Sequence, residues 1–182
     1  MRVPRDVADP VFKCKRMVTF AITRIATDTG ITRTINLGLL PNLSDFTNLF
    51  QHYRICSVDC SWILVNGLNA NNGFPTLTVA PQHHSSVVSP ITRDVVSQYH
   101  GVQVFQFAPS KNTFKRSYTT YGPMLTVSSG QQYERAPWYR CEDSTIPYVF
   151  GIEFISRYNN VDTPNHLLEL TVTAHLEFKG TK

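Results

Sequence analysis

Charged residues are scarce in this chain. Asp, Glu, Lys and Arg together make up 16% of its 182 residues, whereas soluble domains typically reach about a quarter. A solitary β-protein with so few charges would be poorly protected against association. The low charge therefore favours a subunit whose surface is largely covered by neighbouring molecules.

Sequence patterns for membrane insertion and export are missing as well. No apolar run approaches the roughly 20 residues of a membrane span. The first residues, MRVPRDVADP, are polar and do not form a signal peptide. We therefore expect no membrane partner and a protein that is made and kept in a reducing compartment.

The chain has four cysteines, and their spacing argues against both disulfides and a zinc site. They are Cys14, Cys56, Cys60 and Cys141, with no CxxC pair and no zinc-like Cys/His spacing. On one strand, Cys56 and Cys60 would lie roughly 13 Å apart, which is too far for a disulfide. We expect buried, reduced thiols.

Catalytic and metal-binding patterns are also lacking. The chain has no nucleophile elbow, no phosphate-binding loop, no GxGxxG and no paired-carboxylate spacing. The adjacent His83 and His84 would point to opposite sides of an extended chain, and no His-x-His pair is present. We expect no enzyme activity, no metal and no cofactor.

Strand patterns dominate what the chain does contain. Thr and Val are abundant, as β-propensity favours, and the apolar and polar residues alternate over eight or nine segments. The connections between these segments are long, about 10 to 20 residues, which favours a jelly roll over an up-and-down barrel. The sequence predicts an all-β, eight-stranded antiparallel jelly-roll sandwich with one or two short helices in loops. We take residues 1–182 as a single domain, with residues 1–11 forming an extended basic segment.

The segment from residue 31 to residue 65 is the most informative. Ser44 is predicted to cap a short helix that has Asp45 in its first turn. A long strand with strict alternation is predicted to follow. One face would carry Arg54, Cys56, Val58, Cys60, Trp62 and Leu64, and the other Tyr53, Ile55, Ser57, Asp59, Ser61, Ile63 and Val65.

Three other elements are predicted with similar detail. A first strand spans residues 13–24, and a short helix spans residues 91–99, with Val95 and Val96 packing inward. The last strand spans residues 166–179 and alternates throughout. Its predicted apolar face consists of Leu168, Leu170, Val172, Ala174, Leu176 and Phe178.

The helix and the long strand carry a family resemblance. Their pattern resembles the early part of the jelly-roll capsid protein of circovirus-like viruses, which have small circular single-stranded DNA genomes. The residues that carry it are Phe46, Leu49, Phe50, Tyr53, Arg54, Ile55, Val58 and Trp62.

The resemblance continues in order over residues 12–179. The segments TLTVAPQ, HHSSVVSP, ITRDVVSQY, VQVFQF and TFKRSYTTYG follow the family's sequence of strand, loop, helix and two strands. Pro137-Trp138, a Pro-x-x-x-Gly strand from Pro147 to Gly151, and the closing LLELTVTAHLEFKG complete it.

The resemblance implies a capsid protein that self-assembles into a small icosahedral shell, by default of sixty copies, around a single-stranded DNA genome. It implies a place in the virion, with assembly in the nucleus or cytoplasm of the host cell. One alternative is the capsid of a small RNA or satellite virus, which shares the jelly roll. Another, of a different class, is a carbohydrate-binding β-sandwich.

Two groups of basic residues are candidates for contact with the genome. Capsid jelly rolls usually start on the inner surface, which would aim the first group at the phosphates. The first group is Arg2, Arg5, Lys13, Lys15 and Arg16, and the second is Lys111, Lys115 and Arg116. The second alternates with Phe114, Tyr118 and Tyr121, which would either stack on bases or belong to the core.

The charge of the chain is small for such a role. Family members usually begin with a long arginine-rich arm, whereas this chain has a net charge of +4. Sixty copies would supply roughly 240 positive charges against on the order of a thousand or more phosphates. We therefore expect an additional arm, other cations or another protein to complete the balance.

Overall fold

A computed structural model describes residues 10–22, 28–65, 74–84, 90–124, 132–156 and 168–181. Within them the chain forms eleven strands, two short α-helices and two 3-10 turns. The strands are β1 (Phe12–Ile22), β2 (Thr29–Ile35), β3 (Phe50–Leu64), β4 (Thr76–Pro81), β5 (Gln103–Gln106), β6 (Thr113–Thr119), β7 (Tyr121–Pro123), β8 (Tyr133–Arg135), β9 (Tyr139–Arg140), β10 (Tyr148–Ser156) and β11 (Leu168–Thr181). The helices are α1 (Ser44–Leu49) and α2 (Arg93–Ser97), and the turns span Leu37–Leu39 and Cys141–Asp143.

The strands form two antiparallel sheets packed face to face. Sheet A has the order β1-β11-β3-β6, and in sheet B the order is β2-β10-β4-β5. Strand β1 pairs with β11, β2 with β10, β3 with β6 and β4 with β5, so the chain pairs as one long hairpin folded over itself. This arrangement confirms the predicted eight-stranded jelly roll.

Three further short strands raise the count from eight to eleven. Strands β6 and β7 are separated only by Thr120, and this run crosses from sheet A to sheet B. Strands β8 and β9 form a second run that crosses back, with Ala136 at a positive φ of 45°. The two crossings are joined by the Ala136 amide, which donates to the Thr120 carbonyl at 3.0 Å.

A β-bulge interrupts the predicted strict alternation of β3, so that part of the prediction is wrong. The register against β11 shifts between His175, which faces Ser57, and Leu176, which faces Ile55. One residue, Cys56, is therefore extra, and the faces are exchanged on either side of it. Tyr53 and Ile55 are buried before the bulge, whereas Val58, Cys60, Trp62 and Leu64 are buried after it.

The core lies between the sheets, as the pattern of β11 predicts. All six residues of its predicted apolar face are buried. A second, smaller cluster on the outer face of sheet B is covered by α2, whose Val96 packs with Ala80, Ile152 and Phe154. Helix α2 is shorter than predicted, and Thr92 caps it by accepting from the Val95 amide.

The prediction that Ser44 caps the first helix is wrong. Leu43 occupies the capping position without a side-chain hydrogen bond, and Ser44 is the first helical residue. Asp45 does lie in the first turn, as predicted. None of the four cysteines forms a disulfide bond; Cys60 and Cys141 are buried, and Cys14 and Cys56 are half-buried.

One ionic group is buried inside the sandwich. Glu153 on β10 is 1% exposed and pairs with Arg33 on β2. The indole Nε1 of Trp62, across the sandwich on β3, donates to Glu153 Oε2 at 3.0 Å. The carboxylate therefore joins the two sheets through a charge and a hydrogen bond.

Replacing Glu153 tests this junction. We expect Glu153→Ala to lower the free energy of unfolding by about 3 to 5 kcal/mol, because it leaves the Arg33 charge buried without its partner. The double variant Arg33→Met/Glu153→Leu should recover much of that loss, since it removes both charges together. Urea unfolding followed by circular dichroism measures the free energy of unfolding of both variants. A Glu153→Ala variant as stable as the wild type would contradict the proposed junction between the sheets.

Candidate nucleic-acid interface

The outer face of sheet A collects cations from four strands. On this face Lys13 lies opposite Glu177, which lies opposite Arg54, and Lys15 lies opposite His175. In the next rung, Lys179 lies opposite His52, which lies opposite Arg140. We call Lys13, Lys15, Arg54, Arg140 and Lys179 the basic cluster.

The basic cluster occupies one end of the face. Residues on one face of a strand are about 7 Å apart and strands about 4.8 Å apart, so the cluster spans roughly 14 Å in each direction. The carboxylates near the basic cluster include Glu177, Glu142 and, close to Lys15, Asp59. The cations outnumber them, so this end has a net positive charge.

Glu177 ties the cluster together. Its carboxylate lies 3.1 Å from Lys13 Nζ and accepts from Arg54 Nε at 2.8 Å and Nη2 at 2.6 Å. Burial alone would raise the pKa of Glu177, but the hydrogen bonds from Arg54 and Lys13 outweigh it and lower the pKa below its ordinary value. The carboxylate therefore stays ionised and holds Arg54 in place across the sheet.

A contact between a histidine and a carboxylate lies further along the same face. His175 Nε2 is 2.6 Å from Asp59 Oδ2, and Ser117 Oγ donates to Asp59 Oδ1 at 2.6 Å. These hydrogen bonds, that of Ser117 first, lower the pKa of Asp59. Asp59 therefore makes its side-chain contacts on the outer face of sheet A.

An indole ring lies within the basic cluster. The guanidinium carbon of Arg54 is 4.5 Å from the centre of the Trp138 ring, and Lys179 Nζ is 4.3 Å from it. Trp138 precedes β9 and is half-buried. Beside it, Gln51, His52, Arg140 and Glu142 line an open cleft of about 370 Å³.

The first predicted basic group is only partly on this face. Lys13 and Lys15 are exposed there, whereas Arg2 and Arg5 lie outside the described residues. Arg16 points the other way, with its guanidinium 4.7 Å from the Phe46 ring centre and Nη1 donating to the Lys15 carbonyl at 3.0 Å. Phosphate contact by this group stays a prediction.

The second predicted group is divided in the same way. Lys115 is exposed on the outer face of sheet A, and Lys111 Nζ lies 4.8 Å from the Phe105 ring centre near the β5–β6 turn. Arg116 faces inward and joins the two sheets. Its Nη1 donates to the Val79 carbonyl at 3.0 Å, and its Nη2 donates to the Gly101 carbonyl at 2.6 Å.

Two of the interleaved aromatics, Phe114 and Tyr118, belong to the core rather than to a stacking surface. Phe114 packs against Trp62 and Phe105, with ring centres 5.5 Å and 5.0 Å apart. Tyr118 packs against Trp62 and Phe150, at 6.4 Å and 5.7 Å. Tyr121 lies against His83, at 4.4 Å.

Sequence reasoning missed four members of the site: Arg54, Arg140, Lys179 and Trp138. The alternation of β11 could have placed Lys179 on this face, because Lys179 follows His175 and Glu177 at steps of two residues. Arg54 was assigned to the opposite face because the bulge at Cys56 has no sequence mark. Arg140 and Trp138 reach the face through the crossing run of β8 and β9.

The described ranges contain neither a candidate metal-ion group nor a candidate membrane-spanning helix. No group of His, Cys, Asp or Glu there could hold a metal ion. None of the described helices has the length and apolar character needed to cross a membrane.

Similarity to a family of known proteins extends over nearly the whole chain. The family model described as circovirus capsid protein matches residues 4–182. No curated protein sequence matches the chain.

Solved structures of viral capsids share the fold. The 60-mer BFDV capsid protein aligns with a TM-score of 0.67 and 12% identity, covering 96% of each chain. The decameric BFDV capsid protein gives 0.65 and 13%, covering 93% of this chain and 100% of the other. Desmodium yellow mottle tymovirus gives 0.57 and 11%, covering 100% and 95%.

The lowered carboxylate pKa values predict a pH dependence of stability. Because the pKa of Glu177 is below its ordinary value of 4.5, its ionised form stabilises the folded chain above that pH. This stabilisation is lost as the pH falls through the lowered pKa. We expect Glu177→Gln to lower the free energy of unfolding by about 1 kcal/mol at neutral pH, and the difference to disappear as the pH falls through the lowered pKa.

Urea unfolding across this pH range measures the effect. Glu169→Gln is the matched control, because Glu169 lies on the same strand face but about 27 Å away. A difference between Glu177→Gln and the wild type that stays constant with pH would show that the carboxylate charge is not responsible.

Proposed function

The chain belongs to the circovirus capsid protein family, and we propose that sixty copies of it enclose a single-stranded DNA genome with the outer face of sheet A turned inward. Family membership makes it a structural component of the virion, not an enzyme. It also argues against the alternative function, a carbohydrate-binding β-sandwich. Sixty copies match the 60-mer form of the BFDV protein, which shares the fold.

Exposed apolar side chains support assembly. Eight large ones in the described part of the chain are 38% to 60% exposed: Val11, Phe12, Met17, Leu39, Leu49, Val65, Val104 and Met124. Burial of such surface drives association, and many weak contacts per copy add up in a closed shell. The low charge of the chain fits the same requirement, since few charges need to be desolvated.

The basic cluster carries the proposed orientation. Genome phosphates are attracted to cations, and the cluster concentrates five of them on one exposed sheet face. The opposite side of the sandwich is partly covered by α2. Lys115 and the contact of Asp59 with His175 extend the polar surface along sheet A.

The charge of sixty copies remains below that of a genome, so we include other cations or a further basic segment in the proposal. Cysteines without disulfide bonds fit assembly in a reducing compartment, the nucleus or cytoplasm of the host cell. DNA is proposed because of the family, and an RNA genome is the outcome that nuclease treatment would reveal.

Assembly is tested by the size of the purified protein. Sixty chains of 20.6 kDa make a particle of roughly 1.2 MDa, which negative-stain microscopy and light scattering detect. A protein that stays a monomer or small oligomer at all concentrations and salt conditions would contradict the shell. DNase and RNase treatment of the extracted nucleic acid distinguishes the two genome types.

The orientation is tested by neutralising cations on each side. Lys15→Gln/Lys115→Gln removes two exposed charges from the outer face of sheet A. Arg93→Gln/Arg135→Gln removes two exposed charges from α2 and from β8 of sheet B. Both variants should assemble, but only the first should lower the packaged nucleic acid per particle and weaken the salt dependence of its retention.

The ultraviolet absorbance of nucleic-acid bases relative to that of aromatic side chains, recorded on purified particles, measures packaging. An equal loss of packaged nucleic acid in the two variants would mean that packaging depends on the total charge of the chain and not on the outer face of sheet A.

A further inference from the structure

We propose that Trp138, together with Arg54 and Lys179, forms a stacking site for one unpaired nucleotide of the packaged strand. This inference rests on the proposed function, because it requires the outer face of sheet A to meet the genome. It goes further by naming a base-binding element on that face.

The two tryptophans of the chain differ sharply. Trp62 is 1% exposed, and its Nε1 donates to Glu153 inside the sandwich. Trp138 instead lies half-buried on the outer face of sheet A, against two cations. A large aromatic side chain on a polar sheet face contributes less to the core, and part of its surface remains open to a ligand.

The backbone on both sides of Trp138 is firmly held. Pro137 and Tyr139 are buried. Tyr148 Oη donates to the Pro137 carbonyl at 2.7 Å, and Tyr139 Oη donates to the Pro123 carbonyl at 2.8 Å. The indole is therefore presented on a rigid support, which lowers the entropic cost of binding.

The surrounding cations suit a nucleotide. Arg54 is fixed by Glu177, and together with Lys179 it places positive charge within 4.5 Å of the ring centre. A phosphate linked to a stacked base would lie beside this charge. The adjoining cleft of about 370 Å³ has Arg140 and His52 in its lining, and its volume is within the range of small-ligand sites.

The chemistry selects for unpaired bases rather than for sequence. Every base has a π-face, so stacking on an aromatic side chain tolerates any sequence. Bases in a duplex are already stacked on each other and would have to be unpaired first. DNA and RNA strands share this stacking chemistry, and the test below separates them.

Oligonucleotide binding to the full chain, purified and freed of nucleic acid, tests the site. The probes are oligothymidylate, oligouridylate and an abasic deoxyribose-phosphate oligomer of equal length. We expect Trp138→Leu to weaken oligothymidylate binding by about 5- to 100-fold, since one stacked base is lost. Trp138→Phe should keep most of the affinity, and binding of the abasic oligomer should be the same in all variants.

Tyr99→Leu is the matched control. Tyr99 is a half-buried aromatic on the α2 side of sheet B, so this change should leave binding of every oligomer unaltered. The emission of Trp62 in Trp138→Leu reports whether the core is intact. Tighter binding of oligothymidylate than of oligouridylate identifies DNA as the preferred source of the base, and the reverse identifies RNA.

The inference is overturned if the wild type binds the abasic oligomer as tightly as oligothymidylate. It is also overturned if Trp138→Leu leaves oligothymidylate binding unchanged, or weakens binding of the abasic oligomer equally. Failure of the proposed function gives a different result. In that case Lys15→Gln/Lys115→Gln particles would package as much nucleic acid as the wild type, independently of how the Trp138 variants bind oligonucleotides.

Discussion

The bulge at Cys56 is the constraint on which the sheet and its outer face depend. Beyond it β3 pairs with β6, before it β3 pairs with β9, and the bulge lies where one partner replaces the other. Thr120, at the point where β6 leaves the sheet, donates its hydroxyl to the Ile55 carbonyl and satisfies a backbone acceptor next to the bulge. By exchanging the faces of β3, the bulge turns Arg54 outward to Glu177 and Trp138. Without it, Arg54 would lie on the core side with Trp62.

The sequence predicts those strands correctly in which the alternation of apolar and polar residues continues without interruption from one end to the other. Strand β11 alternates without interruption, so its buried face could be listed in advance. Strand β3 also alternates, but the buried residues have odd numbers before Cys56 and even numbers after it. Apolar residues occur at both phases around Cys56, and nothing local distinguishes a bulge from a continuous strand. The crossing runs were missed for a similar reason, because Thr120 and Ala136 change sheets through long-range hydrogen bonds.

The site shows why neighbouring charges in a sequence are a weak guide to a surface. Lys15 and Arg16 are adjacent, as are Lys115 and Arg116, and in each pair the two side chains point to opposite faces of the strand. The lysines reach the outer face of sheet A. The arginines turn inward, where Arg16 stacks on Phe46 and Arg116 donates to the Val79 carbonyl of the other sheet and to the Gly101 carbonyl of the loop before β5. The residues that do gather around Trp138 come from strands far apart in the chain, so only the pairing of β3, β9 and β11 could bring them together.

The few charges of the chain are compatible with the proposed genome binding once the shell is considered as a whole. Glu177 and Asp59 reduce the net charge of the outer face, but they also fix the cations and the histidine beside them. A strongly basic face would repel its neighbours in a shell before the genome arrives. A weakly basic face that is repeated in every copy avoids this repulsion. In the proposed shell, weak contacts from many copies would add up to strong retention of the nucleic acid. Stacking suits this design, because it adds binding free energy without adding charge.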